Sequence, residues 1–111
     1  MYKLLALVPI LLCGCSQLNA RDVRVISNLA YGKGETANGD LVLLADLYLP
    51  DPPSDAMPAV VLFHGGGWWL GDKSVPSVIS FANEMAASGF VVLNCGYRLH
   101  NDEPMVPDID R

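Results

Sequence analysis

The sequence has 111 residues, of which 51% are hydrophobic and 17% are charged, and its formal net charge is -5 at pH 7. This composition is typical of a chain with a packed core and excludes intrinsic disorder. The negative charge leaves no basic surface for nucleic acid. The length suffices for one small domain, whereas a complete open α/β sheet needs considerably more chain.

Residues 1–15 have the pattern of a signal peptide. Lys3 supplies the positive start, and the apolar run at 4–12 is too short to span a bilayer. The segment ending at Cys15 resembles a bacterial lipobox, which implies that Cys15 is lipidated and becomes the new N-terminus. The alternative is ordinary secretory cleavage after Ala20. The first interpretation predicts a lipid-anchored membrane protein of the cell envelope, and the second a periplasmic or secreted one.

Residues 16–22 are predicted to form a polar spacer between the signal and a folded domain. Cys13 is lost with the signal, and Cys15 is acylated or lies in a tail, so Cys95 has no intrachain partner and no disulfide framework is expected. Cys95 follows an apolar run and is interpreted as a small buried hydrophobe. The His and Cys residues lack metal-ligand spacing, so no metal or cofactor is expected.

Two strands are predicted at 23–29 and 41–49, with turn-forming residues between them that indicate an antiparallel hairpin with a long connection. A proline-rich loop at 51–58 follows. The run 59–63 is short, apolar and rich in β-branched residues, which predicts a fully buried parallel strand.

Apolar residues then recur at helical spacing from Val75 to Ala86. Ser74 is the predicted N-cap, Asp72 and Lys73 are interpreted as a charged helix start, and Gly89 is the predicted stop. A further buried strand at 90–94 makes a parallel strand–helix–strand crossover. Residues 101–107 are predicted to be a polar loop, and 108–111 the beginning of another helix.

Three consecutive glycines, Gly65, Gly66 and Gly67, follow the strand at 59–63. Without a Cβ they can adopt positive φ angles and let backbone N–H groups approach a ligand. Acyl transfer requires such donors, because a tetrahedral intermediate carries a developing oxyanion. Trp68 and Trp69 are candidates for the wall of an apolar substrate pocket, although at least one of them is expected to pack against the sheet.

The run from His64 to Trp68 resembles the HGGG oxyanion-hole motif of α/β-hydrolase esterases and lipases. The segments 46–50, 71–73 and 96–99 resemble the alkyl- and feruloyl-esterase-like branch of the hormone-sensitive-lipase relatives. The resemblance covers 23–111. It implies the N-terminal portion of an α/β-hydrolase sheet, an antiparallel hairpin followed by a parallel strand–helix–strand unit.

The same resemblance implies roles for single residues. The N–H groups of Gly66 and Gly67 are the oxyanion donors, Gly65 lets the loop turn, and His64 orients the loop without acting as the base. In the family's sheet order the strand at 59–63 lies between the strand at 90–94 and the nucleophile strand.

Arg98 follows a buried strand, where a guanidinium needs a partner, and Asp46 is the candidate.

In the family the nucleophile lies in a Gly-x-Ser-x-Gly elbow, followed by an acid and a His. No serine of this chain has glycines two residues to either side; the serines are Ser16, Ser27, Ser54, Ser74, Ser77, Ser80 and Ser88. We therefore expect an N-terminal fragment, truncated in the gene or in its sequence.

Two functions compete. The first is a secreted or lipid-anchored serine carboxylic-ester hydrolase that acts on a small-molecule ester. The second is a catalytically inactive lipoprotein remnant with a binding or structural role. A dinucleotide-binding unit is excluded by spacing, because the glycine triplet lacks the third glycine of that fingerprint.

Overall fold

The computed structural model describes residues 20–100, which form a four-stranded mixed sheet with one helix. The strands are β1 (Asp22–Thr36), β2 (Gly39–Asp51), β3 (Ala59–Phe63) and β4 (Val91–Cys95), and helix α1 spans Pro76–Ala87. Their order across the sheet is β1-β2-β4-β3. The predicted signal peptide, the lipobox-like segment and the predicted elements at 101–107 and 108–111 lie outside the described residues.

The hairpin of β1 and β2 is antiparallel, as predicted, but its connection is short. Only residues 37–38 separate the strands. The turn is closed by the Thr36 hydroxyl, which donates to Gly39 O at 2.6 Å and accepts from the Asn38 amide at 3.2 Å. The predicted long connection is therefore wrong, because β1 continues through residues that were interpreted as turn signals.

Those residues lie in an irregular part of β1. The register against β2 shifts between Ile26 and Leu29 and again between Ala30 and Gly32. A Cβ at Gly34 would lie 3.4 Å from Cδ of Arg98, which is an ordinary van der Waals contact, so space does not require a glycine at this position. The glycines of β1 therefore belong to a bulged strand, which is a recognised alternative to a turn.

The unit β3–α1–β4 has the predicted order, and β3 pairs parallel to β4. The bounds of β3 agree with the prediction, and β4 begins one residue later than predicted. The N-cap of α1 is Val75, whose side chain makes no cap hydrogen bond, and Pro76 occupies the first turn. The prediction of Ser74 as N-cap is wrong, and so is the charged helix start, because the first turn of α1 has no acidic residue.

The hydrophobic core lies between α1 and the sheet. Its buried members are Tyr48, Ala82, Ala86 and Val92. Alanines on the inner face of α1 allow the helix to lie close to β2 and β4. No helix within residues 20–100 is long and apolar enough to cross a membrane.

Strand β3 is not fully buried. Its residues alternate in exposure, and Val61 and Phe63 are exposed large hydrophobics. Within the described residues β3 pairs with β4 on one side only. Apolar composition indicated a strand covered on both faces, whereas α1 covers only the face that points to the core.

Candidate active site

The loop of residues 64–73, called here the glycine loop, begins where β3 ends. Phe63 lies opposite Cys95 in the parallel register, so the carboxyl ends of β3 and β4 lie side by side. Ligands of open α/β sheets bind at this edge. His64 follows β3 directly, Tyr97 lies two residues after the end of β4, and both line a cleft there.

His64 is buried and held from two directions. Its Nδ1 lies 2.8 Å from Gly65 O, and because a carbonyl oxygen only accepts, Nδ1 carries the hydrogen. The imidazole stacks on the Tyr97 ring with centroids 4.2 Å apart, and the Tyr97 hydroxyl donates to His64 O at 2.8 Å. The sequence indicated Tyr97 only as part of the family-like segment 96–99. Its place beside His64 was not predicted, because it depends on the pairing of β3 with β4.

Three glycines of the loop adopt conformations that side chains disfavour. The φ angles are +130° at Gly66, +63° at Gly67 and +105° at Gly71. A Cβ at Gly66 would overlap the Leu70 carbonyl, and one at Gly71 would overlap Gly65 O and lie 2.6 Å from His64 Nδ1. The two ends of the loop are therefore in direct backbone contact.

Two amide groups of the glycine triplet have no hydrogen-bond partner in the described part of the chain. Gly66 O accepts from the amides of Trp69 and Leu70 at 3.2 and 3.3 Å, which closes the turn. The N–H groups of Gly66 and Gly67 donate no hydrogen bond within residues 20–100. A backbone donor without a protein partner is what an oxyanion site needs in its empty state.

Trp68 also has a positive φ, +65°, which is a genuine outlier for a bulky residue. Its carbonyl accepts from the His100 amide at 2.7 Å, a contact that helps to hold this conformation. The side chains of Trp68 and Trp69 are 73% and 59% exposed, so the expectation that at least one packs against the sheet is wrong. The Trp69 ring instead contacts the His100 ring, with the two ring centroids 4.2 Å apart.

A cleft of about 590 Å³ opens at the loop. It is lined by Phe63, His64, Gly65, Gly67, Trp68 and Tyr97. Aromatic rings and glycine backbone thus form its wall. An apolar cleft with a few polar groups of fixed position is the usual form of a small-molecule site.

Asp46 and Arg98 do not pair as predicted. Lys73 Nζ lies 2.8 Å from both carboxylate oxygens of Asp46, and the ion pair is largely buried. Arg98 donates from Nη1 to Glu35 O at 2.6 Å. The prediction started from the Arg98 guanidinium and chose Asp46 as its partner. This pairing is wrong, because the path of the glycine loop brings Lys73 to Asp46 instead.

Cys95 is buried, which confirms its interpretation as a small hydrophobe. Burial raises the pKa of the thiol, so the reactive thiolate is disfavoured at neutral pH. Its Sγ lies 3.8 Å from Leu93 O. The thiol is therefore unsuited to act as a nucleophile.

The family model described as BD-FAE matches residues 45–110, more than half of the chain and all of the glycine loop. The chain belongs to the BD-FAE family. This membership agrees with the predicted resemblance to hormone-sensitive-lipase-like α/β-hydrolase esterases.

Curated relatives of this BD-FAE protein are esterases and related enzymes. Carboxylesterase NlhH of Mycobacterium tuberculosis is 36% identical over 64 residues, which cover 58% of this chain and 20% of the relative. Tuliposide A-converting enzyme b1 of Tulipa gesneriana is 35% identical over 68 residues, covering 58% of this chain and 18% of the enzyme. The aligned part thus spans about a fifth of the length of either relative.

Solved esterase structures share the fold of this BD-FAE chain. Esterase B of Lactobacillus rhamnosis has a TM-score of 0.55 and 27% identity, and the match covers 73% of this chain and 24% of the esterase. A bacterial heroin esterase has a TM-score of 0.52 at 26% identity, covering 78% of this chain and 25% of that one. Brefeldin A esterase, described as a bacterial homologue of human hormone-sensitive lipase, has a TM-score of 0.55 at 16% identity, covering 97% and 25%.

Proposed function

We propose that this chain supplies the oxyanion-hole loop of a serine carboxylic-ester hydrolase. One observation carries the proposal. The N–H groups of Gly66 and Gly67 have no partner within residues 20–100, in a loop at the carboxyl ends of β3 and β4 beside an apolar cleft. Membership in the BD-FAE family and the carboxylesterase relatives support the same chemistry.

In the proposed reaction a serine hydroxyl attacks the ester carbonyl, and a histidine accepts its proton. The carbonyl oxygen becomes an oxyanion, which the amides of Gly66 and Gly67 stabilise. Each such donor lowers the barrier by roughly 3 to 4 kcal/mol. The histidine gives the proton to the departing alcohol, and it then accepts a proton from the water that hydrolyses the acyl-enzyme and releases the serine. The chain has no Gly-x-Ser-x-Gly segment, so the proposal assigns the nucleophile, the acid and the base to residues outside these 111.

The proposed substrate is a small-molecule ester with an acetyl, feruloyl-like or other short acyl group. The aromatic lining of the cleft, from Phe63, Trp68 and Tyr97, suits an apolar acyl group. Esterase B of Lactobacillus rhamnosis has been crystallised after inhibition by a tributyrin phosphonate. A phosphonate therefore serves as a probe for the proposed serine.

The test begins with the DNA sequence beyond the codon for Arg111 and uses the product of the complete gene. We expect that product to hydrolyse p-nitrophenyl acetate and to be labelled by a phosphonate on one serine outside these 111 residues. The 111-residue chain alone should show no turnover above its Gly66→Ala variant. A stop codon directly after Arg111, or a complete product without turnover or labelling, would favour the inactive lipoprotein remnant instead.

We also propose that the protein is anchored in the cell envelope through a lipid on Cys15. The lipobox-like segment supports this proposal. In a bacterial host the wild-type chain should be processed and membrane-associated, whereas Cys15→Ser should remain unprocessed. A soluble periplasmic product that begins at Arg21 would show that ordinary secretory cleavage is correct.

A further inference from the structure

Lys73, the last residue of the glycine loop, is held at both of its ends. Its Nζ donates to both oxygens of Asp46 at 2.8 Å and to Asn28 Oδ1 at 3.0 Å. Its backbone carbonyl accepts from Asn94 Nδ2 at 2.8 Å. Side chains from β1, β2 and β4 therefore fix one residue of a segment that is otherwise loop.

The partners of Lys73 are themselves placed by the sheet. Asp46 lies opposite Asn94 in the register of β2 with β4. The backbone N–H of Asn28 donates to Asp46 Oδ1 at 2.8 Å. Asn28 has a positive φ of +59°, a conformation that asparagine tolerates. The side chains of Lys73 and Asp46 are only 12% and 10% exposed. In such surroundings an ion pair is weakly screened and directional.

The position of Lys73 is transmitted to the glycine triplet through backbone contacts. Gly71, two residues earlier, lies so close to Gly65 O and His64 Nδ1 that it has no room for a Cβ. Gly66 likewise has no room for a Cβ, because the Leu70 carbonyl lies against it. A shift of residues 70–73 would therefore displace Gly65 and Gly66 and change the direction of the amides that follow.

We propose that Asp46 and Lys73 are positioning residues, which hold residues 70–73 against Gly65 and so set the direction of the Gly66 and Gly67 N–H groups. Neither side chain touches the substrate in this assignment. The kinetic part of the inference rests on the proposed function, because it needs an oxyanion as readout. The structural part, that the pair holds the glycine loop, does not.

The kinetic test uses Lys73→Met in the product of the complete gene. This variant leaves the Asp46 carboxylate buried without its cation, which is strongly destabilising. We expect kcat for p-nitrophenyl acetate to fall roughly tenfold or more while KM changes little, because misdirected donors weaken the transition state more than the bound ester. Val92→Ala, in the core below α1, is the control for lost stability and should lower Tm with kcat unchanged.

A double variant separates positioning from stability. Asp46→Asn with Lys73→Met removes both charges and keeps an acceptor for the Asn28 amide. Relative to Lys73→Met we expect Tm to recover and kcat to remain low. Recovery of kcat together with Tm, or a loss of kcat in Val92→Ala equal to that in Lys73→Met, would overturn the kinetic assignment.

Hydrogen exchange followed by mass spectrometry tests the inference independently of catalysis. Peptides covering 64–73 should exchange faster in Lys73→Met than in Val92→Ala. Each variant is measured at the same interval below its own Tm, so that the two are compared at equal global stability. Equal exchange in the two variants would overturn the positioning role. If the complete product lacks esterase activity but the exchange of 64–73 increases as expected, the proposed function is wrong and the anchoring of the loop stands.

Discussion

Gly66 and Gly71 are the residues that let the glycine loop close on itself. Each lies against backbone of the opposite end of the loop, at a distance that excludes a Cβ. The loop is therefore a compact unit, held at its start by His64 and at its end by Lys73. Preorganised donors stabilise an oxyanion because they need no reorganisation during the reaction.

Asp72 provides a pH-dependent contact within this unit. Its carboxylate accepts from the Ser74 hydroxyl and, at 2.8 Å, from the Ser74 amide, and these bonds hold the pKa of Asp72 below its usual range. The stabilisation is present above the pKa of the unfolded state, about 4, and is lost as the pH falls below it.

We therefore expect Asp72→Asn, measured in the product of the complete gene, to reduce Tm at pH 6 and to approach the wild-type Tm as the pH falls to 3. Ser74→Ala should show a smaller change of the same sign, since it removes the hydroxyl and keeps the amide. A difference in Tm between Asp72→Asn and wild type that is constant across this pH range would contradict the assignment.

Single residues were predicted well where the reason is local. The positive φ angles of Gly66 and Gly67 agree with the freedom that their residue type indicated. The Lys73 partner of Asp46 was missed, because the two residues meet only through the register of β2 with β4 and the course of the loop between them. Positions that depend on long-range geometry leave no periodic signal in the sequence.

At the scale of elements, most boundaries of the parallel unit β3–α1–β4 were predicted to within one residue. This agreement arises because prolines and glycines flank its apolar runs. The hairpin was predicted in type but not in length. Glycine indicates both a turn and a bulged strand, and only the pairing of β1 with β2 distinguishes them. The helix cap was missed because Val75 makes no side-chain cap hydrogen bond.

Strand β3 is the element most exposed to association. One edge of β3 has no partner strand within residues 20–100. The side chains of Val61 and Phe63, which belong to this strand, are exposed. An apolar, uncharged strand edge is a template for aggregation. We expect the 111-residue chain, freed of its signal segment, to aggregate, and Val61→Lys to reduce light scattering.

Phe81→Lys is the matched control, since Phe81 is an exposed hydrophobic residue on α1 rather than on a strand edge. It should reduce scattering much less than Val61→Lys. A soluble wild-type monomer with a cooperative thermal transition would show that the exposed edge of β3 has been misplaced.

At the scale of the whole molecule, we propose that the chain carries one part of an esterase site. Within the described residues the donors, the loop and an apolar cleft lie together at the carboxyl ends of β3 and β4. The curated relatives extend over about five times the aligned length. The central claim is that the amides of the glycine triplet act on the transition state.

Gly66→Ala in the product of the complete gene tests this claim most directly. The new Cβ would overlap the Leu70 carbonyl and displace the amides. Gly39→Ala is the matched control. Gly39 is the first residue of β2, far from the loop in sequence, with a φ of +113° and no atom within 4 Å of the added Cβ. We predict that Gly66→Ala lowers kcat roughly a hundredfold or more with KM much less affected, while Gly39→Ala retains the wild-type kcat. An unchanged kcat in a folded Gly66→Ala protein would contradict the account.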